Sequence, residues 1–581
     1  MEVLSAILGL LMQLAFFGLI AWAIVRLLGH RGEGGDEVEV DRATSVRRLF
    51  VYGLMLVTLI LGAVGATMIG RTLLTSGWSD EERTALALGL AFTLVAGPAY
   101  ALLLRFASGR LRDDVGEPTS LAWAAYLNIA LASSLIVWTV TAIQFLEGVI
   151  GVDDFEWRRV APVLVWAAVW SMHWFWLRPA YGLSGDLHLA VGSLTGLVTM
   201  MIGLGGVAFV AGDEIYASVV ARLPAGHQSS ELGTWLIAAG VGAVVWVGHW
   251  SRRYRTAERT SVWHVFVLLF GTLGGLVVAI SSSATIAYWI AVWYVGNPTS
   301  GLPSEHFEHV PVAAAFLMAG MATWQYHRRV LQTGGSVDRS EPLRAYDYLM
   351  AASGLVATVA GATLALVALF ESIAVRATGD PFDVANRLVL SVVLGVIGLP
   401  LWWMSWSRIR RHCEADPSAE IGSLTRRLYL VVLFGVGGLT ALISLIVVLF
   451  VGIEGLLDGT FGGETLDSSQ VGLALLITVT GIAWYHLGVF RSDRAIAERA
   501  SPAPAPPHAT HLVLITPRDG ELAERLAAAT GVTVEAWVRE DDSPMPDIDI
   551  DELVARIRED AGHDVAVVVG PTGADVIPYV T

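Results

Sequence analysis

Residues 311–330 read PVAAAFLMAGMATWQYHRRV, an apolar run that closes on a tryptophan, a histidine and two arginines. Similar endings occur at VWSMHWFWLR (169–178), VVWVGHWSRR (244–253) and, more loosely, GIAWYHLGVFR (481–491). Tryptophan favours the headgroup level of a membrane, and arginine can extend from there into water. The recurring pattern is therefore typical of the end of a membrane-spanning helix.

The composition agrees with a membrane protein. The 581 residues are 54% hydrophobic and only 15% charged, with a mean hydropathy of +0.60. Soluble domains carry about 25% charged residues. The apolar residues gather in blocks of about 20 or more, which is long enough to cross a hydrocarbon core. We therefore predict an integral membrane protein whose main partner is the lipid bilayer.

The order of apolar blocks predicts an all-α membrane bundle of about thirteen transmembrane helices. A first helix would be followed by six two-helix repeats, and a small α/β domain would end the chain. The predicted spans are 3–28, 46–75, 83–107, 119–149, 158–178, 187–212, 231–251, 261–295, 310–330, 345–374, 386–410, 426–456 and 469–490. Gly-rich stretches inside them, such as GLGG at 203–206, GTLGG at 271–275 and GVGG at 435–438, are expected to be surfaces where helices approach closely.

Four domains follow from this pattern. Residues 1–45 would form the first helix and a loop, and residues 46–495 the six repeats. Residues 496–508, which include the Pro/Ala-rich SPAPAPPH (501–508), would be a linker, and residues 509–581 an α/β domain with alternating strand and helix patterns. This tail carries much of the formal net charge of −16, so nucleic acid is not an expected partner, whereas a protein partner remains open.

The arginines predict the orientation. All 37 basic residues are arginine, a usage that fits a GC-rich bacterial genome. The loops on one side would hold 25 of them, whereas the opposite loops hold Arg71, Arg83, Arg158, Arg159, Arg222, Arg376 and Arg387. Because basic residues concentrate in cytoplasmic loops, we expect the amino terminus outside and the carboxyl terminus in the cytoplasm of a bacterial cell.

The histidines at the helix ends have two interpretations. Neutral imidazole is a common ligand, so His173, His249, His327 and His486 are candidates for binding haem or another metal-containing cofactor. His188 and His264, near the starts of following helices, would be able to join them. Alternatively, these residues only anchor helix ends at the membrane interface. A ligand site requires two histidines that face each other at one depth, and a sequence cannot show that. The chain offers no metal cluster, since it has the single cysteine Cys413.

A polar stretch within the eighth predicted span gives a second candidate. Ser281, Ser282, Ser283 and Thr285 would line a transport path if their hydroxyls faced a polar channel. The alternative is that they bond to carbonyls of their own helix.

The openings RRLFVYGLMLV (47–57), LRAYDYLMAAS (343–353) and RRLYLVVLFGV (426–436), with the Trp–His–Arg endings, resemble a known family. It comprises bacterial membrane proteins built from tandem two-helix repeats of a domain of unknown function. The resemblance covers about residues 46–490 and implies the architecture, without any catalytic residue. The second and third spans depart from it, because Tyr100 stands where the aromatic–histidine pair is usual.

These observations favour a non-enzymatic role, as a membrane scaffold or as a sensor that couples a helical bundle to a cytoplasmic module. The alternatives are a transporter or channel, and a haem or metal-binding membrane protein. The sequence names no ligand.

Overall fold

The computed structural model describes residues 35–77, 79–177, 183–221, 229–256, 259–333, 340–378, 384–500, 511–517, 521–541, 544–559 and 564–579. The first predicted span, 3–28, lies outside these residues. The chain divides into two compact units, Met1–Glu414 with Ser423–Ala483, and Ala415–Gly422 with Trp484–Thr581.

Long α-helices make up most of the described chain. In chain order, the helices before the sheet are α1 (Gly35–Leu73), α2 (Asp80–Asp113), α3 (Leu121–Ile150), α4 (Val160–Leu177), α5 (Leu183–Tyr216), α6 (Ser229–Trp246), α7 (Ser261–Val295), α8 (Pro303–His306), α9 (Val310–Gln332), α10 (Glu341–Thr378), α11 (Ala385–Ala415), α12 (Pro417–Ile421), α13 (Leu424–Leu457) and α14 (Gly463–Ala500). Short π-helical segments continue α5 and α6 at Ala217–Ala221 and Val247–Ser251, and one lies within α7 at Phe266–Gly274.

Serine residues begin several of these helices. Ser79, Ser120 and Ser423 precede α2, α3 and α13, and each side chain accepts a hydrogen bond from a backbone N–H of the first turn. Such N-caps satisfy a donor that the helix itself leaves unpaired. The turns between helices are therefore encoded locally.

Ten of the described helices are long and apolar enough to cross a membrane. They are α1, α2, α3, α5, α6, α7, α10, α11, α13 and α14. The predicted spans at 158–178 and 310–330 are helices α4 and α9, but these are not among the ten. The multi-pass helical architecture is therefore confirmed, whereas the count of thirteen crossings stays a prediction.

Glycines set the distance between paired helices. A Cβ added at Gly203 of α5 would lie 2.2 Å from the backbone nitrogen of Ala239 in α6, and one added at Gly354 of α10 would lie 2.4 Å from that of Trp402 in α11. Only glycine permits such backbone approach. The expectation for GLGG and GTLGG is confirmed, since Gly275 likewise lies against the backbone of Trp324, and Gly206 lies against the indole ring of Trp235. It is wrong for much of GVGG, where an added Cβ at 435 or 438 would meet nothing within 4 Å.

The contacts repeat along the chain with a constant period. Gly196, Gly275 and Gly354 follow one another at intervals of 79 residues, and each lies against the backbone of a tryptophan in the next helix. Those tryptophans, Trp246, Trp324 and Trp402, are spaced by 78 residues. The pairs α5/α6, α7/α9 and α10/α11 are therefore copies of one packing unit, as the predicted two-helix repeat requires.

The end of the chain forms a small α/β fold. Its strands are β1 (His511–Thr516), β2 (Thr533–Val538), β3 (Asp564–Gly570) and β4 (Gly573–Tyr579), and its helices are α15 (Glu521–Thr530) and α16 (Ile550–Glu559). The strand order is β2-β1-β3-β4, in which β4 is antiparallel to β3 and the other pairs are parallel. The sequence predicted the first three strands and both helices. It did not predict β4, which turns back through Gly573 at φ 153°.

One face of the sheet carries the core of this fold. Alternate residues of β1 and β3 pack against both helices in a buried cluster of Leu512, Leu514, Leu522, Leu526, Leu553, Val554, Ile557, Val565, Val567 and Val569. Val534 of β2 and Ala574 and Val576 of β4 are partly buried against this cluster. Side chains of the other register lie on the opposite face, where Trp537 is 52% exposed and Ile577 is 49% exposed.

Candidate functional site

Three histidines occupy equivalent positions near the ends of α4, α6 and α9. His173, His249 and His327 each follow a tryptophan by three residues, which places both rings on one side of the helix. All three imidazoles are buried. Nδ1 lies 2.7 to 2.9 Å from the carbonyl oxygen four residues earlier in each case. A carbonyl only accepts hydrogen bonds, so Nδ1 carries the proton and Nε2 presents a lone pair.

Two of these rings pack against a glycine in the first helix of their pair: His249 against Gly192 of α5, and His327 against Gly271 of α7. A Cβ added at Gly192 would lie 2.7 Å from Nε2 of His249, and one added at Gly271 would lie 2.4 Å from the ring of His327. The lone pair of His249 Nε2 is thus held close to the surface of α5. The side chain one turn before each glycine decides what the histidine faces.

In the pair α3/α4, a tyrosine meets the histidine. The Tyr126 hydroxyl lies 2.8 Å from His173 Nε2, and it also lies 2.9 Å from the Tyr100 hydroxyl. Because Nε2 of His173 can only accept, Tyr126 donates to it and accepts from Tyr100. The polar atoms of this buried chain are therefore all satisfied, and His173 has no lone pair left for a ligand.

In the pair α5/α6, a second histidine meets the first. His188 lies four residues before Gly192, so both are on one face of α5. The rings of His188 and His249 are 5.1 Å apart between centroids and inclined at 73°. His188 is 1% exposed and His249 is 5% exposed. Within the described part of the chain, neither ring nitrogen of His188 nor Nε2 of His249 has a hydrogen-bond partner.

In the pair α7/α9, the corresponding residue is apolar. Val267 follows His188 by 79 residues, the period of the repeat, and it is completely buried. The His327 ring is surrounded there by Trp250, Phe266 and Tyr326, with centroid distances of 5.0 to 6.0 Å. Its Nε2 has no partner among the described residues. The three pairs thus share a buried histidine whose ring has different neighbours in each pair.

Two tryptophans of α4 complete the surroundings of the paired histidines. Trp170 and Trp174 stack with centroids 5.7 Å apart. Trp174 lies 4.9 Å from the His188 ring, and Trp170 lies 6.1 Å from the His249 ring. The guanidinium carbon of Arg253 lies 4.7 Å from the centroid of Trp174. We call His188, His249, Trp170 and Trp174 the His–Trp box.

Among the described residues, no ring contact joins His173, His249 and His327 to one another. The cofactor site formed by His173, His249, His327 and His486 stays a prediction. His486 is buried in α14, whereas Trp484 beside it is 76% exposed. His264 bonds through Nδ1 to the Thr260 carbonyl. The sequence placed His188 only among the possible additions. His188 lies one turn before Gly192, on the same face of α5. The sequence alone does not show that Gly192 packs against His249, so it could not identify His188 as a neighbour of His249.

The serine-rich stretch of α7 has a local hydrogen bond. Thr285 donates to the carbonyl of Ser281 at 2.9 Å, and both residues are exposed, whereas Ser282 is buried. A bond within one helix is what the alternative to a transport path expects. The path along Ser281, Ser282, Ser283 and Thr285 stays a prediction.

Three residues of the opening RRLFVY (47–52) form hydrogen bonds with one buried carboxylate. Glu117, in the turn between α2 and α3, accepts from Arg47 at 3.0 Å, from Arg48 at 2.8 Å and from the Tyr52 hydroxyl at 3.0 Å. Arg48 also pairs with Asp114 at 3.1 Å. The cluster fixes the beginning of α1 to the turn that starts the next helix pair, so its role here is structural.

Comparison with known proteins yields one family. The family described as a domain of unknown function, DUF5671, matches residues 48–172 and 344–483. Each matched region contains four long helices, which are α1–α4 and α10, α11, α13 and most of α14. The match is consistent with a repeated domain of unknown function. The intervening pairs α5/α6 and α7/α9, which hold His188, His249 and His327, lie outside the matched regions. No curated protein and no solved structure matches the chain.

Proposed function

We propose that the protein is a non-enzymatic membrane scaffold or sensor that couples its helical bundle to the α/β domain. The observation that supports this most directly is the sheet of that domain. Its two described helices pack on one face, whereas Trp537 and Ile577 are half exposed on the other. An exposed tryptophan on a rigid strand is typical of a protein-binding surface.

The expected partner is a protein with an apolar pocket and a basic rim. Trp537 Nε1 donates to the Glu535 carboxylate at 3.1 Å, so an acidic group stands beside the exposed ring. Residues 501–581 contain many more acidic than basic residues. Charge complementarity would guide such a partner to this face.

We also propose the orientation that the arginines predict. The carboxyl terminus and its domain would then lie in the cytoplasm of a bacterial cell, and the amino terminus would lie outside the cytoplasmic membrane. The uneven distribution of arginine between the two sets of loops supports this placement.

Affinity capture with the full-length chain tests the scaffold. We expect a soluble protein to copurify with the wild type, and to be lost with Trp537→Glu, which replaces the exposed indole on the edge strand β2 by a charge. Glu552→Gln, an exposed change on α16, should retain it. If the same proteins copurify with all three chains, the exposed sheet face is not the binding surface, and the proposal fails.

Two alternatives have direct tests. Transport along Ser281, Ser282, Ser283 and Thr285 would appear as solute flux in proteoliposomes. Haem binding would appear as a Soret band that is lost when His173, His249, His327 and His486 become alanine.

A further inference from the structure

We propose that the partner of the α/β domain adds an extended strand to the edge of β2, with a basic side chain beside Glu535 and an apolar side chain beside Trp537. The inference rests on the proposed scaffold function, and it specifies the kind of segment that the partner presents. The strand order β2-β1-β3-β4 places β2 at one end of the sheet. Strand addition at such an edge is a common form of peptide recognition.

Strand β2 is exposed along most of its length. Thr533 and the residues from Glu535 to Val538 are all exposed, with exposed fractions of 52% for Trp537 and 62% for Val538. The strand is rich in residues that favour β structure, and it contains neither proline nor a basic residue. An edge of this kind presents polar backbone groups that a further strand can reach.

The opposite edge of the sheet is protected. Strand β4 contains Pro578, which has no N–H to offer and pairs with Val565 of β3. Asp575 of the same strand is exposed and charged. Proline and charged side chains are common devices that prevent edge strands from pairing. The two edges therefore differ, and β2 is the one suited to strand addition.

The backbone of β2 determines which groups an added strand can bond. The Arg539 N–H donates to the Thr516 carbonyl of β1 at 3.0 Å. In a parallel pair, alternate residues direct both backbone groups towards the same neighbouring strand, so Trp537 also faces β1. Ala536 and Val538 alternate with these residues, and they present their N–H and C=O groups to the outer edge.

The charge at this edge favours a basic segment. The Glu535 carboxylate accepts from Trp537 Nε1 at 3.1 Å, which holds the carboxylate beside the indole. Glu540 and Asp541 follow the strand and are exposed. Arg539, the basic residue next to them, pairs with Asp541 inside the domain. Opposite charges on neighbouring strands are stabilising and like charges are destabilising. The edge therefore disfavours a second copy of this acidic domain.

The pleat of the sheet determines the order of side chains in the added segment. Glu535 and Trp537 are two residues apart, so they lie on the same face of the sheet. Their neighbours on an added strand are also two residues apart. A basic residue beside Glu535 and an apolar residue beside Trp537 give the pattern basic–x–apolar. The middle residue would lie beside the small side chain of Ala536.

The test is a binding titration of the full-length protein in detergent with a short fluorescent peptide, followed by anisotropy. In this peptide, arginine and valine alternate at every second position, with threonine between them. One control peptide has glutamate in place of arginine, and another has proline at its centre, which prevents strand pairing. We expect the unchanged chain to bind the arginine peptide, less tightly as the salt concentration rises, and to bind neither control.

Two substitutions separate the backbone from the charge. Ala536→Pro removes the outward N–H and should abolish binding, whereas Ala536→Ser keeps the N–H and should retain it. Glu535→Arg should weaken binding of the arginine peptide by up to about fivefold, the ratio typical of one exposed ion pair. The same variant should bind the glutamate peptide. A gain of binding cannot come from misfolding, so this result decides the question even if the proline variant fails to fold.

Several results would overturn the proposal. They are no binding of the arginine peptide by the unchanged chain, equal binding by folded Ala536→Pro and Ala536→Ser, or an unchanged preference in Glu535→Arg. A dimer of the chain that Ala536→Pro separates would assign the edge to a second copy and would also overturn it. The scaffold proposal is judged separately, because it fails if Trp537→Glu retains the same partners in affinity capture.

Discussion

At the scale of single residues, the three equivalent histidines show how one facing side chain changes a buried site. Tyr126 satisfies His173, His188 opposes His249, and Val267 leaves His327 without a polar neighbour at that position. The imidazole is the same in all three pairs, so the chemistry is set by the first helix of the pair. These differences lead to opposite expectations for mutations that remove a polar atom.

Tyr126→Phe should destabilise the protein by about 1–3 kcal/mol, because His173 Nε2 and the Tyr100 hydroxyl would both lose their buried partner. Thermal unfolding in detergent measures the change. Tyr100→Phe is the matched control, since it leaves the bond between Tyr126 and His173 in place, and its effect should be smaller. Equal effects of the two variants would contradict the direction assigned to this hydrogen-bond chain.

His188→Val should leave the melting temperature unchanged or raise it. The substitution removes a buried imidazole whose nitrogens have no partner, and replacing such a group by an apolar one relieves its desolvation cost. The same thermal assay gives the answer. A large loss of stability would mean that His188 makes bonds essential to the fold.

Glu117 gives a prediction for pH. Burial opposes its ionisation, but bonds from Arg48 and Tyr52 and the charges of Arg47 and Arg48 outweigh this, so the pKa of Glu117 is lowered. A carboxyl whose pKa is lowered by folding stabilises the protein above its unfolded pKa of about 4.3, and that stability is lost as pH falls through the folded value. Thermal midpoints should therefore drop in acid more steeply for the wild type than for Glu117→Gln. Parallel pH curves would show that this carboxylate contributes no such stability.

At the scale of helices and strands, small residues determine which faces meet. Gly203 lies against the α6 backbone, whereas an added Cβ at Gly240 of the same pair would meet nothing within 4 Å. Packing in a membrane depends on such close contact, because lipid offers no hydrophobic drive for helices to associate.

Gly203→Val should separate α5 from α6 and cost about 1–3 kcal/mol or more, the usual penalty of overpacking. Gly240→Val is the matched control and should be nearly neutral. Unfolding of each variant in detergent compares them directly. A neutral Gly203→Val would show that the two helices do not cross at this glycine.

The helices were predictable where the cause is local. Apolar length and the serine caps at Ser79, Ser120 and Ser423 depend on adjacent residues. The two-helix repeat is also visible in the sequence, whereas its period of 78 to 79 residues in the middle of the chain became clear only from the contacts. The contact of His188 with His249 was not predictable from the sequence. It depends on how α5 and α6 are aligned, which is set by the packing of Gly192 against His249 and of Gly196 against Trp246. Strand β4 was missed for a similar reason, since Gly570 and Gly573 define its turn only through pairing with β3.

At the scale of the whole molecule, the long apolar helices form repeated pairs, and the arginines predict their direction across a membrane. Arginine lies mainly in the loops next to the tryptophan and histidine ends, and few arginines lie in the opposite loops. With that orientation, the His–Trp box would lie towards the cytoplasmic face, and the α/β domain would meet its partner in the cytoplasm.

Cysteine labelling of intact cells tests this orientation most directly. In a Cys413→Ser background, single cysteines replace Val115 in an arginine-rich loop, Thr460 in an arginine-poor loop, and Thr581 at the carboxyl terminus. We predict that a membrane-impermeant maleimide labels Thr460→Cys in intact cells, and labels Val115→Cys and Thr581→Cys only after the membrane is opened. Labelling of Thr581→Cys in intact cells would contradict the account.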